Sequence, residues 1–349
     1  VSTAAQPQPV GSTAGRVTIS DVALAAGVSV ATVSKVVNNR YGVAASTAEH
    51  VLSVVAELGY ESSLVARSLR RQSTNVIGVL VAEFEPYSTE LLKGISAAMD
   101  GTGYELLAYS GGSDGGVKVG WERRSLSRLG GTLIDAAIVV TPTMVMSEAA
   151  GIPVVAVDPH TGPEGIHTVD SDNATGAREA VEHLIGLGHR RIAHLGGRTD
   201  LESARLRELG YRQALETIGI DVDPNLIRVG GYRPDTADTP ARELLEPAFG
   251  ERPTAVFAAN DQSAIHLIEV ARELGLRVPD DLSVVGFDNI PEAATSSPPL
   301  TTVDQPLQRM GAEALRLVLD LLDGTPRARH LQLPTSLVVR ASTAPPPAR

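Results

Sequence analysis

The sequence predicts an α/β protein: a helical head followed by two doubly wound parallel lobes. Three observations carry the prediction. Short helix signals crowd residues 16–62, apolar strands alternate with amphipathic helices from Val76 onward, and the alternation runs as two series, the second starting near Thr168. Strands bracketed by helices at this spacing pair in parallel and are covered on both faces. Two series mean two lobes. Such lobes bind ligands at the carboxyl ends of their strands, and two facing lobes share one cleft.

The bulk composition agrees. A chain of 349 residues exceeds one compact core, and 43% hydrophobic with 20% charged residues describes a globular chain. Aromatics are scarce, so Ala, Val, Leu and Ile must build the cores. No run approaches the roughly 18 apolar residues of a membrane helix, which argues against a membrane partner. The first fifteen residues lack the basic and apolar regions of a secretory signal and read as a tail. The absence of cysteine excludes disulfides and thiolate chemistry and fits a cytoplasmic protein. The net charge of −11 is uneven: residues 16–74 carry six basic and four acidic side chains, the remainder 24 basic and 37 acidic. A mildly basic head on an acidic body suits a protein that presents only its head to a polyanion.

Within the head, "TISD" (Thr18 to Asp21) and "STAE" (Ser46 to Glu49) are capping boxes ahead of apolar runs. Gly27 joins the first helix to a second that Ser29 is placed to cap. Val51, Val54, Val55 and Leu58 line one face of a third, which Gly59 ends. Ile19, Val22, Ala23, Val28, Val33 and Val36 supply a small core. The second helix turns a small, mostly uncharged face outward: Val30, Ala31, Ser34, Lys35 and Asn38. The stretch "LVARSLRRQS" is too short to hold itself helical in water and needs a partner.

The body follows as strand "VIGVLVA", helix "STELLKGISAAMDGTG", then "YELLAYS", "WERRSLSRLGG", "AAIVV" and "PVVAVD". The second series is helix "NATGAREAVEHLIGLG", strand "RIAHLGG", helix "ESARLRELGYRQALETIG", strand "AVFAAN", helix "DQSAIHLIEVARELG" and strand "LSVVGFD". Enzyme signatures are weak. "GGSDG" satisfies G-x-S-x-G, but Ser113 is followed by more glycine and a delayed helix, unlike a nucleophile elbow. There is no HExxH, no Walker motif and no GxGxxG after a strand, and the histidines lack metal-ligand spacing. No cofactor or metal is expected.

Several motifs in one order resemble the lac repressor (LacI/GalR) family of bacterial regulators. They are "VTISDVALAAGVSVATVSKVVN", "VLSVVAELGYESSLVARSLRRQSTNVIGVL", "DNATGAREAVEHLIGLGHRRIAHLGG", "ESARLRELGYRQAL", "AVFAANDQSAIHLIEVARELGLRVPDDLSVVGFDN" and "PPLTTVDQPLQRMGAEAL". The resemblance runs from about Val17 to Val339. It implies a helix-turn-helix domain at 16–62 and a hinge helix within 63–74. It also implies a periplasmic-binding-protein-like body, with one lobe at 75–166 plus 305–325 and the other at 167–304 plus 326–342. Residues 1–15 and 343–349 are left as tails.

By this resemblance the chain is an allosteric transcriptional regulator, with repression the expected mode, and not an enzyme. Its partners are palindromic double-stranded operator DNA, a small effector and a second copy of the chain. No leucine heptads follow "LVVRASTAPPPAR", so a homodimer is expected, not a tetramer. The second head helix enters the major groove. Val30 and Ala31 then meet thymine methyls, Ser34 and Lys35 lie a turn later, and Lys35 donates to guanine. Thr18, Ser29, Thr32 and Asn38 suit phosphate contacts. Leu69 takes the place of the hinge leucine that wedges into the minor groove, flanked by Arg67 and Arg70.

Effector positions carry over to Ser203, Arg207, Asn260, Asp288, Asp158, Gln305 and Tyr232, with Glu83, Tyr87 and Ser88 from the loop "FEPYS". Carboxylates, amides and an arginine suit vicinal hydroxyls, and aromatics suit a sugar's C–H face, so a mono- or disaccharide is expected. A purine or a sugar phosphate, as corepressor or activator ligand, is the alternative. The role of Trp121, between core and pocket, is left open.

Overall fold

The computed structural model describes residues 17–37, 40–60, 73–111, 119–146, 151–246, 251–325 and 329–347. Asn38 and the hinge residues Arg67, Leu69 and Arg70 lie outside them. The chain divides into two compact units, Val1–Gln72 and Ser73–Arg349.

In the first unit, α1 (Ile19–Ala25), α2 (Val30–Val37) and α3 (Ala45–Leu58) enclose Val22, Ala23, Ala26, Val33, Val36, Val51 and Val54, with Ile19 and Val28 against them. The expected box at α1 forms: the Thr18 hydroxyl accepts the Asp21 N–H, and the Asp21 carboxylate accepts the Thr18 N–H at 2.8 Å. Gly27, at φ +65°, lets the chain bend by 107° between α1 and α2, the crossing of a helix-turn-helix. Ser29 caps α2 by accepting the Thr32 N–H at 3.1 Å.

Two details differ from expectation. Ala44, not Ser46, caps α3, because its carbonyl already accepts the Ala48 N–H; Ser46 therefore falls inside the first turn. Leu58 stands 38% exposed, off the packed face. Gly59 ends α3 in the left-handed region as expected.

The second unit holds two six-stranded sheets. The first is parallel throughout and ordered β11-β5-β4-β3-β1-β2. Its strands are β1 (Val76–Val81), β2 (Glu105–Ser110), β3 (Ala136–Val140), β4 (Val154–Val157), β5 (His167–Ser171) and β11 (His330–Leu333). Helices α4 (Pro86–Ala98), α5 (Trp121–Leu129) and α11 (Leu307–Leu322) belong to this lobe. The second sheet is ordered β12-β10-β9-β8-β6-β7, with only the edge strand β12 antiparallel. It contains β6 (Ile192–Gly196), β7 (Ile227–Val229), β8 (Ala255–Ala258), β9 (Ser283–Asp288), β10 (Thr301–Asp304) and β12 (Ser336–Val338). Its helices are α6 (Asn173–Gly186), α7 (Glu202–Thr217), α8 (Pro234–Leu245), α9 (Asp261–Glu273) and the short α10 (Pro291–Thr295).

The expected lobe boundaries shift accordingly. β5 pairs with β4 and β11 with β5, so 167–171 and 330–333 belong to the first lobe, not the second. The chain crosses between lobes after β5, after β10 and after β11. Residues 73 and 74, expected in the linker, are tied to the body by Asp135, which accepts from the Ser73 hydroxyl and the Thr74 and Asn75 N–H groups. Residues 343 and 344 are not a loose tail either. The Ala344 carbonyl accepts from the Ser283 hydroxyl and lies 2.9 Å from the His189 ring, and Thr343 bonds His183.

The first lobe depends on a close helix crossing. Where α4 meets α11, a Cβ on Gly94 would overlap the Gln308 carbonyl, and one on Gly311 would overlap the Leu91 carbonyl. Only glycine allows the two backbones to meet. Gly94→Ala should therefore lower stability by roughly 1–3 kcal/mol despite alanine's better helix propensity. Urea unfolding checks this; an unchanged or raised midpoint contradicts the crossing.

Candidate functional site

Both sheets direct the carboxyl ends of their central strands at one cleft, as doubly wound sheets do. The cleft encloses a cavity of about 290 Å³, near the small end of ligand pockets. Three strand ends on it are strained: Thr141 after β3 (φ +46°), Asp158 after β4 (φ +48°) and Asp288 at the end of β9 (φ +110°). Side chains rarely adopt this region, and such residues gather at functional sites.

Arg207 is the centre of the site. It lies on the buried stripe of α7 with Ser203, Ala204, Gly210 and Tyr211, the i, i+3, i+4 face that packs on the sheet. It is 2% exposed. Its Nε donates to Asn173 Oδ1 at 2.8 Å, Nη1 to the Ala259 carbonyl and to Asp288 Oδ1 at 3.3 Å, and Nη2 to Gln305 Oε1 at 2.8 Å. The guanidinium also lies 3.8 Å from the centroid of the Phe287 ring. Burial disfavours its charge, but Tyr232, Asp288 and Asp158 oppose that and keep its pKa above the ordinary arginine value.

The carboxyl groups around it respond in the opposite sense. Burial raises Asp288 to about 7, with repulsion from Asp158 and Glu85 only partly offset by Arg207. Burial likewise raises Asp158 to about 6 against the pull of Arg207. Glu85 is raised by burial and by Glu83. The Tyr87 and Tyr232 phenols are raised too, chiefly by burial, so both remain neutral donors. The Tyr232 ring lines the cavity while its hydroxyl is buried beside Gly197 and Ser203.

Of the sequence-derived effector positions, Glu83, Tyr87, Asp158, Ser203, Arg207, Tyr232, Asn260 and Asp288 line this cavity. Two do not. The Ser88 hydroxyl donates to the Glu83 and Glu85 carbonyls and accepts the Glu85 N–H, so it builds the start of α4. Gln305 sits behind Arg207, bonding it from one side and approaching the Tyr87 hydroxyl at 3.5 Å on the other. Glu83 reaches the cavity, but its carboxylate is bound by Arg233 at 2.6 Å. Asn260 caps α9 through the Ser263 N–H and donates to the Tyr232 carbonyl, which orients that aromatic.

Sequence reasoning missed Glu85, Thr141, His160, Arg198, Leu201 and Arg233 in the lining. Their common signal was position, since most follow closely on a strand end. Burial lowers His160 to about 4, so it is uncharged at neutral pH. Trp121 is core: it is 1% exposed and packs against Gly111, where any Cβ would overlap its ring.

In the head, Val30 is 44% exposed, Ala31 and Lys35 are exposed, and Ser34 is half-buried. Thr18, Ser29 and Thr32 already hydrogen-bond within the helix starts: Thr18 with Asp21, and the Ser29 and Thr32 hydroxyls with each other at 2.9 Å. Among the described residues no group of His, Asp and Glu is arranged to hold a metal ion.

Two family models match the chain: bacterial regulatory proteins of the lacI family over residues 18–63, and a periplasmic binding protein-like domain over 181–343. The HTH-type transcriptional repressor PurR of Photobacterium profundum is 35% identical, over 93% of this chain and 98% of its own length. A Lac repressor dimer bound to operator and the anti-inducer ONPF superposes with TM-score 0.79 at 31% identity, covering 95% of this chain and all of that one. A complex of the transcriptional regulator CelR with cellobiose gives TM-score 0.69 at 32% identity, covering 94% of this chain and all of that one.

The raised carboxyl of Asp158 makes a pH prediction. A group whose folded pKa exceeds its unfolded value favours the fold below the ordinary carboxylate range and loses that benefit as pH rises through the folded pKa. Between about pH 4 and pH 6 the wild type should therefore lose stability relative to Asp158→Asn, by roughly 2–3 kcal/mol. Asparagine tolerates the positive φ, so the backbone is kept. Urea unfolding across that window checks it; a difference independent of pH contradicts the assignment.

Proposed function

Since the chain belongs to the lacI family of bacterial regulatory proteins and is a DNA-binding transcriptional regulator, we propose that a small neutral sugar held between its lobes sets its operator affinity. One observation carries the choice of ligand. Each arginine on the cavity already has a carboxylate: Arg207 has Asp288 at 3.3 Å, Arg198 has Asp200 at 2.6 Å, and Arg233 has Glu83 at 2.6 Å. An anionic ligand would have to displace one of these pairs. A polyol needs only donors and acceptors, which Asp158, Asp288, Ser203 and Thr141 supply. The cellobiose complex of CelR supports this reading, and a purine or a sugar phosphate is the competing outcome.

In this reading Arg207, Asp288 and Asp158 bind the sugar's hydroxyls, and the rings of Tyr87 and Tyr232 face its C–H surface. Gln305 and Asn260 hold those groups in place. Because the chain crosses between lobes beside Gln305, a ligand that draws the lobes together acts on that crossing. The working form is a cytoplasmic homodimer, each subunit reading half of a palindrome. Val30 and Ala31 contact bases, Lys35 contacts a guanine, and Leu69 with Arg67 and Arg70 engages the minor groove and backbone. Ligand control then rests on different affinities for two lobe arrangements.

Two variants test the assignment. Arg207→Ala and Asp288→Asn should bind operator like the wild type but lose roughly ten- to a hundredfold in sugar affinity. Titration calorimetry over neutral sugars, sugar phosphates and purines decides the class. Binding of a purine or phosphate with no response to any neutral sugar would overturn the sugar assignment.

Lys35→Ala should weaken operator binding by roughly 1–3 kcal/mol and relax preference at one guanine. Equal weakening on all sequences would make Lys35 a phosphate contact.

A further inference from the structure

The lobes meet through polar groups at three places. On the floor, Gln305 links Arg207 to Tyr87. At one side the Glu202 N–H donates to the His160 carbonyl at 3.0 Å. At the mouth, Glu83 follows β1 of the first lobe and Arg233 precedes α8 of the second. Their side chains meet at 2.6 Å although 150 positions separate them. Both residues line the cavity, and both are about half exposed.

We propose that the Glu83–Arg233 pair is a specificity clasp: it bridges the lobes at the mouth of the cavity, so that a saccharide long enough to reach the mouth must part it, which disfavours longer saccharides. The inference rests on the reading of the cleft as the effector site. The geometry supplies three reasons. The pair joins the two lobes with both partners charged, whereas the other cross-lobe pair, His160 with Asp200 at 3.7 Å, involves an imidazole that burial keeps neutral at neutral pH. Arg233 is fixed by Asp235 on its own lobe, with Nε to Oδ1 at 3.2 Å, so the clasp pulls on α8 and not on a loose side chain. Arg233 also balances Glu83 and Glu85, which lie close enough to raise the Glu85 carboxyl; without the arginine, Glu83 loses its ion-pair partner on the other lobe. A half-exposed pair is weak, so a longer ligand can open it at small cost. The clasp therefore grades ligands by length without blocking the cleft.

The absence of cysteine permits a direct test on the full chain. Spin labels at Thr132→Cys in the first lobe and Glu216→Cys in the second, both exposed, report lobe separation by pulsed electron resonance, with labelled chains diluted into unlabelled ones. Without ligand, Arg233→Ala and Glu83→Gln should shift the distances longer and broader, and Arg233→Lys should stay near the wild type. Unchanged distances in both neutral variants would overturn the clasp. Calorimetry with glucose, xylose, cellobiose and xylobiose then reads specificity. The disaccharide-to-monosaccharide affinity ratio should rise about two- to fivefold in Arg233→Ala. Longer distances with an unshifted ratio overturn the specificity role. If the wild type binds none of the four sugars, the effector reading fails instead, and with it the clasp's role in selection.

Discussion

A buried guanidinium holds this cleft together. Removing a charge from water is costly unless it is paired and hydrogen-bonded, so Arg207 dictates much of what surrounds it. It draws on four parts of the chain at once: Asn173 at the start of α6, the carbonyl after β8, Asp288 at the end of β9 and Gln305 between β10 and α11. Three of these lie in the second lobe, and the fourth lies where the chain enters the first. The arginine thus ties the wall of the site to a crossing between lobes.

The same charge explains the neighbouring carboxyl groups. Asp158 and Asp288 stand buried at strand ends with left-handed backbone, where one arginine, Arg207, must serve both. Raised to about 6 and about 7, they lie near the working pH and can donate or accept. For a polyhydroxyl ligand such groups are adaptable partners.

The architecture was largely legible in the sequence. Continuous apolar strands such as "VIGVLVA" and the glycine-ended helices gave the two lobes, because buried parallel strands leave a strong signal. Less regular elements escaped. Helix α8 was not among the expected elements; it carries Pro234 in its first turn, where no N–H is needed, and Pro240 inside it. β5 and β11 are short and partly polar, and only their pairing shows that they complete the first sheet. Of the site, the residues carried by motifs were legible and the paired rim was not. Glu83 was read as a free ligand group because its partner Arg233 lies 150 positions away. Ser88 was misread for a related reason: a hydroxyl near a site looks available until its backbone partners are seen.

The central claim is that Arg207 is fixed before any ligand arrives. Nitrogen-detected resonance spectroscopy of arginine guanidinium groups in the ligand-free protein tests it most directly. Hydrogen bonds on Nε, Nη1 and Nη2 should stop rotation about the Cζ–Nε bond, giving separate, slowly exchanging Nη signals for Arg207 that vanish in Arg207→Ala. A single averaged Nη signal for Arg207, like that of an exposed arginine, would contradict the account.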